Sequence, residues 1–225
     1  MKIRFLIFTL LLAGSVAPML ASPGRQVEVD RIRNSRFAFE EIMNAPDNGI
    51  PHELLQSATC VAIIPGAKRA AFVFGGSYGR GLVTCHTGSG WSAPAFLLVT
   101  GGSFGFQIGG SSTDIIMIFR NSSGMKHLLS DKFKLGADAS AAAGPVGRSA
   151  AAATDAEMHA EILTYSRSRG VFAGVSLNGA VVKPDRGADE AMYGADIEPA
   201  SILDGHVSVP AEARGLIDVI GRNAR

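Results

Sequence analysis

The sequence predicts an α+β fold, an antiparallel glycine-rich β-sheet or barrel with flanking amphipathic helices. The first observation is that residues 60–65, 70–86, 91–110 and 113–120 are rich in β-branched and aromatic residues and are interrupted by glycines. This pattern is typical of successive antiparallel strands. The second is that residues 27–44 place apolar side chains on one helical stripe with charges between them. The third is the content of 27 glycines among 225 residues, which suits tight strand connections.

Further helices are predicted from start and stop signals. Pro51 stands at a first helical position and opens a short helix. Thr154 and Glu157 form a capping box that predicts a helix over residues 154–170. The stretch EARGLIDVIGR predicts a terminal helix within a tail at 206–225. The predicted domain organisation is an N-terminal helical segment at 22–49, a central domain at 50–205 that contains the two middle helices, and the tail at 206–225.

The first residues predict a signal peptide over 1–21. Lys2 and Arg4 precede an apolar run from Phe5 to Ala13, and small residues follow it. The run is about ten residues, shorter than the roughly 20 that a spanning helix needs. An uncleaved interfacial anchor is the alternative interpretation. The expected location is therefore secreted or periplasmic, with possible peripheral attachment to the cell envelope.

The charge balance argues against nucleic-acid binding. The formal net charge is +1, and no dense run of Lys and Arg is present that could follow a phosphate backbone. The two cysteines, Cys60 and Cys85, lie in predicted strands. In an oxidising compartment they can form a disulfide if their Cα atoms come close enough, which the sequence leaves open. A metal site of Cys60, Cys85 and His86 is the alternative, although it lacks a fourth ligand.

Two G-x-S-x-G motifs, at Ser77 and Ser103, raise the possibility of a serine hydrolase. A nucleophile elbow needs a helix directly after the serine. Here GGSYG continues as RGLVTCH, and GGSFG continues as FQIGG with the alternation of a strand. No catalytic residue, cofactor or metal ligand is therefore assigned, and the expectation is that the protein is not an enzyme. A cryptic hydrolase remains the weakest alternative.

Several motifs taken in order resemble the SYLF family. They are CVAIIP, GGSYGRGLV, GWSAPAF, GGSFGFQIGGSSTD, LGADASAAAGPVGR, YSRSRGVFAGVSLNGA and MYG, and the resemblance covers about residues 50–205. The resemblance implies a domain that binds membrane lipids, phosphoinositides in eukaryotic members, without established catalysis. It also implies actin binding in some fungal members, which is not expected for an exported chain. The expected ligand is a phospholipid, another amphiphile or the membrane surface itself.

In this family the lipid contact is associated with the amphipathic segment before the core. The matching stretch offers Arg31, Arg33, Arg36 and Phe37 as candidates, since arginines suit phosphates and aromatics suit the acyl boundary. Lys68 and Arg69, expected in a turn after the first strand, form a second candidate.

Two structural alternatives stay open: the helix packs on the sheet, and the Lys68–Arg69 turn is a solvated hairpin tip. At the level of function, the alternative is an envelope structural or protein-interaction module.

Overall fold

The computed structural model describes residues 23–45, 49–144, 159–170 and 179–225. The predicted signal peptide and the Thr154–Glu157 capping box lie outside these residues. A long first helix, α1, packs with a C-terminal group of short helices against a curled, mostly antiparallel sheet. The helices are α1 (Pro23–Met43), α2 (His52–Gln56), α3 (Ser122–Leu128), α4 (Arg186–Tyr193), α5 (Pro199–Leu203) and α6 (Arg214–Asn223), with a 3-10 turn at Ala211–Ala213.

The sheet has seven strands in the described residues. They are β1 (Cys60–Thr87), β2 (Gly90–Trp91), β3 (Ala95–Phe119), β4 (Phe133–Lys134), β5 (Ala141–Ala143), β6 (Ile162–Gly170) and β7 (Val181–Pro184). The main path runs β2-β1-β3-β6-β5, and β7 joins the other end of β3 and pairs with β4. Among the strand pairs of the described residues, β5–β6 alone is parallel. The predicted fold class, α+β with an antiparallel glycine-rich sheet and flanking helices, is confirmed.

Four predicted strands form two long ones. Strands β1 and β3 pair from Cys60–Phe119 to Val83–Ala95, and their register shifts between Ile64 and Ala67 and again between Phe72 and Phe74. Lys68 and Arg69 lie within β1, opposite Ser112 and Ser111. Their predicted placement in a turn is therefore wrong. The chain bulges at Pro65–Gly66 and continues as strand, because the residues after the bulge find new partners on β3.

Strand β1 curls until one part of it crosses another. A Cβ atom added to Gly81 would lie 2.5 Å from the carbonyl oxygen of Ile63, and one added to Gly79 would lie 2.5 Å from Cγ2 of Ile64. Glycine at these two positions allows the close approach. The ends of the strand also meet: His86 N–H donates to the Thr59 carbonyl at 2.8 Å, and Cys60 forms a disulfide with Cys85. The disulfide uses both thiols, so the alternative metal site loses two of its three ligands.

Both faces of the sheet are buried over much of its area. Residues of alternating parity along β1 and β3 divide between two apolar clusters, as the two-residue period of a strand requires. One cluster packs under α1 and α6 and includes Ile32, Phe39, Ile63, Phe96 and Leu216. The other packs under α3, β4 and α5 and includes Ile64, Met117, Phe133 and Leu203.

The predicted amphipathic helix at 27–44 is confirmed as part of α1, and the predicted C-terminal helix is confirmed as α6. Ile32 and Phe39 are 1% and 0% exposed, so one face of α1 belongs to the core. The helix predicted over 154–170 is wrong at 162–170, where the chain forms β6 between β3 and β5. In the part of the chain that the structure describes, no helix combines the length and apolarity needed to span a membrane.

Candidate membrane-contact surface

The two G-x-S-x-G motifs lie side by side in the sheet. Gly75, Gly76 and Ser77 pair with Ser103, Gly102 and Gly101 in turn. The Ser77 hydroxyl donates to the Gly101 carbonyl at 3.4 Å. Both serines therefore lie within long strands, not at a strand-to-helix turn, and this geometry does not match a nucleophile elbow.

Other residues of the quoted motifs hold parts of the fold together. Ser92 of WSAP is buried, and its hydroxyl accepts the Cys85 N–H at 3.1 Å while its carbonyl accepts the Thr84 hydroxyl at 2.8 Å. The Tyr193 hydroxyl of MYG donates to the Pro94 carbonyl at 2.5 Å. Asp114 of STD accepts the Gly66 N–H at 2.7 Å, at the bulge of β1. These motif residues thus fix the curl of the sheet.

Arg31 lies inside an ion-pair cluster between α1 and the sheet. Its side chain is 5% exposed and is held by Glu28 at 2.8 Å and by Asp185 at 2.9 Å, with its guanidinium 5.0 Å from the Phe96 ring centroid. Arg80 joins the cluster from β1, 3.1 Å from Glu28. Burial raises the pKa of Glu28, and the nearby Arg80 charge opposes that rise. The predicted lipid contact of Arg31 does not fit this placement, because its charge is already paired and shielded from solvent.

Arg33, Arg36 and Phe37 lie on the opposite, exposed face of α1. The Phe37 side chain is 53% exposed although a buried helix face begins at the next residue, Ala38. Arg33 pairs with Asp30 and Arg36 pairs with Glu40, both at 2.9 Å and both within one or two helical turns. Exposed pairs of this kind contribute only about 0.3–0.5 kcal/mol, so either arginine can exchange its partner at low cost.

Phe37 stands between two open grooves. One, of about 430 Å³, is lined by Asn34, Pro65, Gly66 and Asp114. The other, of about 630 Å³, is lined by Asn44, Ala45 and Arg167. Glu41 borders both grooves and pairs with Arg167 of β6. Both grooves are therefore lined by polar side chains together with the exposed Phe37 ring.

The structure places part of the second predicted lipid contact, Lys68 and Arg69, near the first predicted contact on α1. Lys68 is exposed and Arg69 is half-buried, a few residues after the Pro65–Gly66 bulge that lines the groove beside Phe37. Arg167 is a groove residue that sequence reasoning missed, because its stretch was interpreted as a helix. The stretch alternates serine and arginine over 166–169, and this two-residue period of a strand was available as a signal.

Comparison with known proteins identifies the family. Residues 100–223 match the family described as Ysc84, Las17-binding protein actin regulator. The chain belongs to the Ysc84 family. The Ysc84 domain is the SYLF domain that the motifs resemble, so the predicted resemblance is confirmed.

Curated relatives extend this match toward the N-terminus. The chain is 36% identical over 175 residues, 76% of its length, to "SH3 domain-containing protein PJ696.02" of Schizosaccharomyces pombe. It is 34% identical over 182 residues, 79% of its length, to "Protein YSC84" of Saccharomyces cerevisiae. It is 32% identical over 186 residues, 81% of its length, to the human "SH3 domain-containing YSC84-like protein 1".

These Ysc84 relatives are longer than the region they share with this chain. The match spans 40% and 39% of the two yeast proteins and 54% of the human protein. The names of the Schizosaccharomyces pombe and human proteins mention SH3 domains, and the family description mentions Las17 binding and actin regulation, so the family is linked to protein partners. Those names describe binding and regulation and do not name a reaction.

Proposed function

We propose that this Ysc84 domain is a non-catalytic lipid-binding protein that contacts an anionic membrane surface or a phospholipid through the exposed face of α1. The observation that carries the proposal is the exposure of Phe37, at 53%, on a helix whose Phe39 is 0% exposed. An apolar ring that core packing does not use, on the same exposed helix face as Arg33 and Arg36, suits the boundary between headgroups and acyl chains.

The charges of this face support a reversible contact. Arg33 and Arg36 keep side-chain exposures of 57% and 45% within their local ion pairs. A lipid phosphate can replace Asp30 or Glu40 as the acceptor, since Arg binds phosphate through paired hydrogen bonds. Lys68, exposed beyond the groove beside Phe37, adds a further cation. The N-terminal sequence supports export to the envelope or beyond as the setting for this contact.

Vesicle sedimentation tests the proposal. The full chain is mixed at low salt with vesicles of phosphatidylglycerol and phosphatidylcholine in equal parts, and with vesicles of phosphatidylcholine alone. Binding to the anionic vesicles only is expected. A Phe37→Ser, Arg33→Glu double variant is expected to lose about tenfold or more in affinity, because each cation near an anionic surface contributes about 1 kcal/mol.

The matched control is Val27→Ser with Arg222→Glu, which also removes one exposed apolar residue and reverses one exposed arginine. It is expected to bind like the unsubstituted chain. No sedimentation of the unsubstituted chain with anionic vesicles would reject the proposed function.

A second candidate function is a protein-interaction module. The family description as a Las17-binding actin regulator favours it. Pull-down with the chain and with the Phe37→Ser, Arg33→Glu variant separates the two candidates. The protein-interaction module is favoured if the unsubstituted chain and the variant capture the same protein equally well and neither binds vesicles.

A further inference from the structure

A further part of the sheet is not covered by the helices of the described residues. Its side chains lie on the same face of the sheet as Leu82 and Phe96, which α1 covers, but further along the strands. We call this region the open sheet face and define it by Tyr78 and Arg80 of β1, Leu98 of β3, Val181 and Lys183 of β7, and Lys134 of β4. Each of these residues is exposed or half-buried.

The strand register places these residues in two cross-strand rows. Arg80 pairs with Leu98, and Leu98 pairs with Lys183. In the next row Tyr78 lies opposite Thr100, Thr100 opposite Val181, and Val181 opposite Lys134. Directly opposed side chains on one face of a sheet lie about 5 Å apart at their Cβ atoms. The first row therefore holds one apolar side chain between two cations, and the second row holds a tyrosine, a threonine, a valine and one lysine.

Burial confirms which way these side chains point. Val99 and Val182 are 5% and 1% exposed and oppose each other, and Phe133 is 2% exposed opposite Val182. These three side chains face the core. Since successive side chains alternate between the faces of a strand, Leu98, Val181, Lys183 and Lys134 point to the other side. Tyr78 is 49% exposed, which is unusual for an aromatic residue in the centre of a long strand.

The charge of the open sheet face is positive. Lys134 and Lys183 are exposed and have no ion-pair partner among the described residues. Glu28 and Asp185 border the face and are balanced by Arg31 and Arg80, which they contact at 2.8–3.4 Å. A further acid, Asp138, accepts the backbone N–H of Lys134 at 2.7 Å. The face therefore joins an exposed tyrosine and a valine to two unpaired lysines.

We infer that the open sheet face is a second contact surface for anionic lipid headgroups. The inference rests on the proposed function and adds a second surface to it. Tyrosine suits the membrane interface because its ring is apolar and its hydroxyl stays hydrated. Lysine side chains reach from an apolar surface to headgroup phosphates.

The test is vesicle binding of a Tyr78→Ser, Lys134→Glu, Lys183→Glu variant of the full chain. The same two vesicle compositions are used, phosphatidylglycerol with phosphatidylcholine in equal parts and phosphatidylcholine alone. We expect a loss of about tenfold or more in affinity for the anionic vesicles and a shallower dependence of binding on salt. The thermal unfolding midpoint is expected to stay near that of the unsubstituted chain, because all three side chains are exposed.

The control is Leu129→Ser, Lys126→Glu, Arg222→Glu, which replaces one exposed apolar residue and reverses two exposed cations on other elements. If the unsubstituted chain binds and both triple variants bind equally well, the open sheet face is not a lipid contact while the α1 proposal stands. If the Tyr78 variant instead changes the oligomeric state with vesicle binding intact, the face joins copies of this chain and the inference is overturned. No vesicle binding by the unsubstituted chain would overturn both proposals together.

Discussion

The carboxylate of Asp189 accepts the backbone N–H of Phe96 at 2.8 Å, where α4 meets β3. Asp189 is 0% exposed, and its second oxygen has no hydrogen-bond partner among the described residues. Burial raises the pKa of this carboxyl to about 7, although the Phe96 hydrogen bond favours the charged form. Asp189 therefore couples the helix-to-sheet junction to pH.

The first prediction concerns stability against pH. The pKa of an aspartic acid in the unfolded chain is about 3.9, so the folded state holds an extra proton between about pH 4 and 7. The contribution of this group to stability is therefore lost as pH rises through that window. Asp189→Asn keeps the acceptor for Phe96 and removes the charge. We expect its unfolding midpoint to fall less than that of the unsubstituted chain between about pH 5 and pH 8.

The control for this prediction is Asp218→Asn, an exposed aspartate on α6. Its pH profile is expected to follow the unsubstituted chain. The unfolding midpoints are measured by circular dichroism melting between about pH 5 and pH 8. If the midpoints of Asp189→Asn and of the unsubstituted chain fall equally with pH, the coupling of Asp189 to pH is contradicted.

The second prediction concerns the crossing within β1. Gly81→Ala places a Cβ atom 2.5 Å from the Ile63 carbonyl oxygen, a backbone atom that cannot turn away. We expect the free energy of unfolding to fall by about 1–3 kcal/mol, the usual cost of overpacking. Gly76→Ala is the matched control in the same strand, because its Cβ atom would meet nothing within 4 Å. Urea denaturation of both variants checks this, and equal stability of the two would contradict the crossing.

The third prediction concerns the disulfide. Cys60 and Cys85 close a loop of 25 residues, and both are 0% exposed. Replacing both by alanine is expected to lower the free energy of unfolding by about 3 kcal/mol, because the unfolded chain gains freedom. In urea titrations, the unsubstituted chain is expected to lose a similar amount with a reductant present during unfolding. The free energy of unfolding of the double variant should not change with reductant. A change would show that the reductant does not act through the Cys60–Cys85 disulfide.

The fourth prediction separates the two faces of α1. Phe39→Ala removes a fully buried ring and is expected to cost about 3–5 kcal/mol of stability. Phe37→Ala removes a ring that is 53% exposed and is expected to change stability by about 0.5 kcal/mol or less. Deleting residues 23–44 should unfold the domain, since Ile32, Phe39 and Ile42 belong to the core. A folded deletion product, measured by circular dichroism, would contradict this role of α1.

Much of the fold could be predicted because its patterns are local. The β-branched and aromatic runs in CVAIIP and TDIIMIFR indicated strands, and the apolar stripe of residues 27–44 indicated a helix. The stretch at 162–170 was misjudged because Ile162 and Tyr165 also fit a helical spacing. The secondary structure of this stretch is decided by its pairing with β3, whose residues are about fifty positions away in the sequence. Such long-range contacts override the local preference of the residues for helix or strand.

The candidate surface could be predicted only in part for the same reason. The helical stripe identified Arg31, Arg33, Arg36 and Phe37 as a group. It could not separate Arg31 from the others, because the partner that holds it, Asp185, lies 154 residues further along the chain. The open sheet face was not predicted, since Tyr78, Lys183 and Lys134 become neighbours only through the register of four strands.

The long pairing of β1 with β3 also sets an order for folding. Val83 and Ala95 are near in sequence, whereas Cys60 and Phe119 at the other end are far apart. Because closing a short loop costs less chain entropy, pairing is expected to start beside WSAP and to advance toward Cys60. The Cys60–Cys85 bond is therefore expected to form late, once the strand has curled. It then stabilises a hairpin that has already formed and does not direct the pairing of the strands.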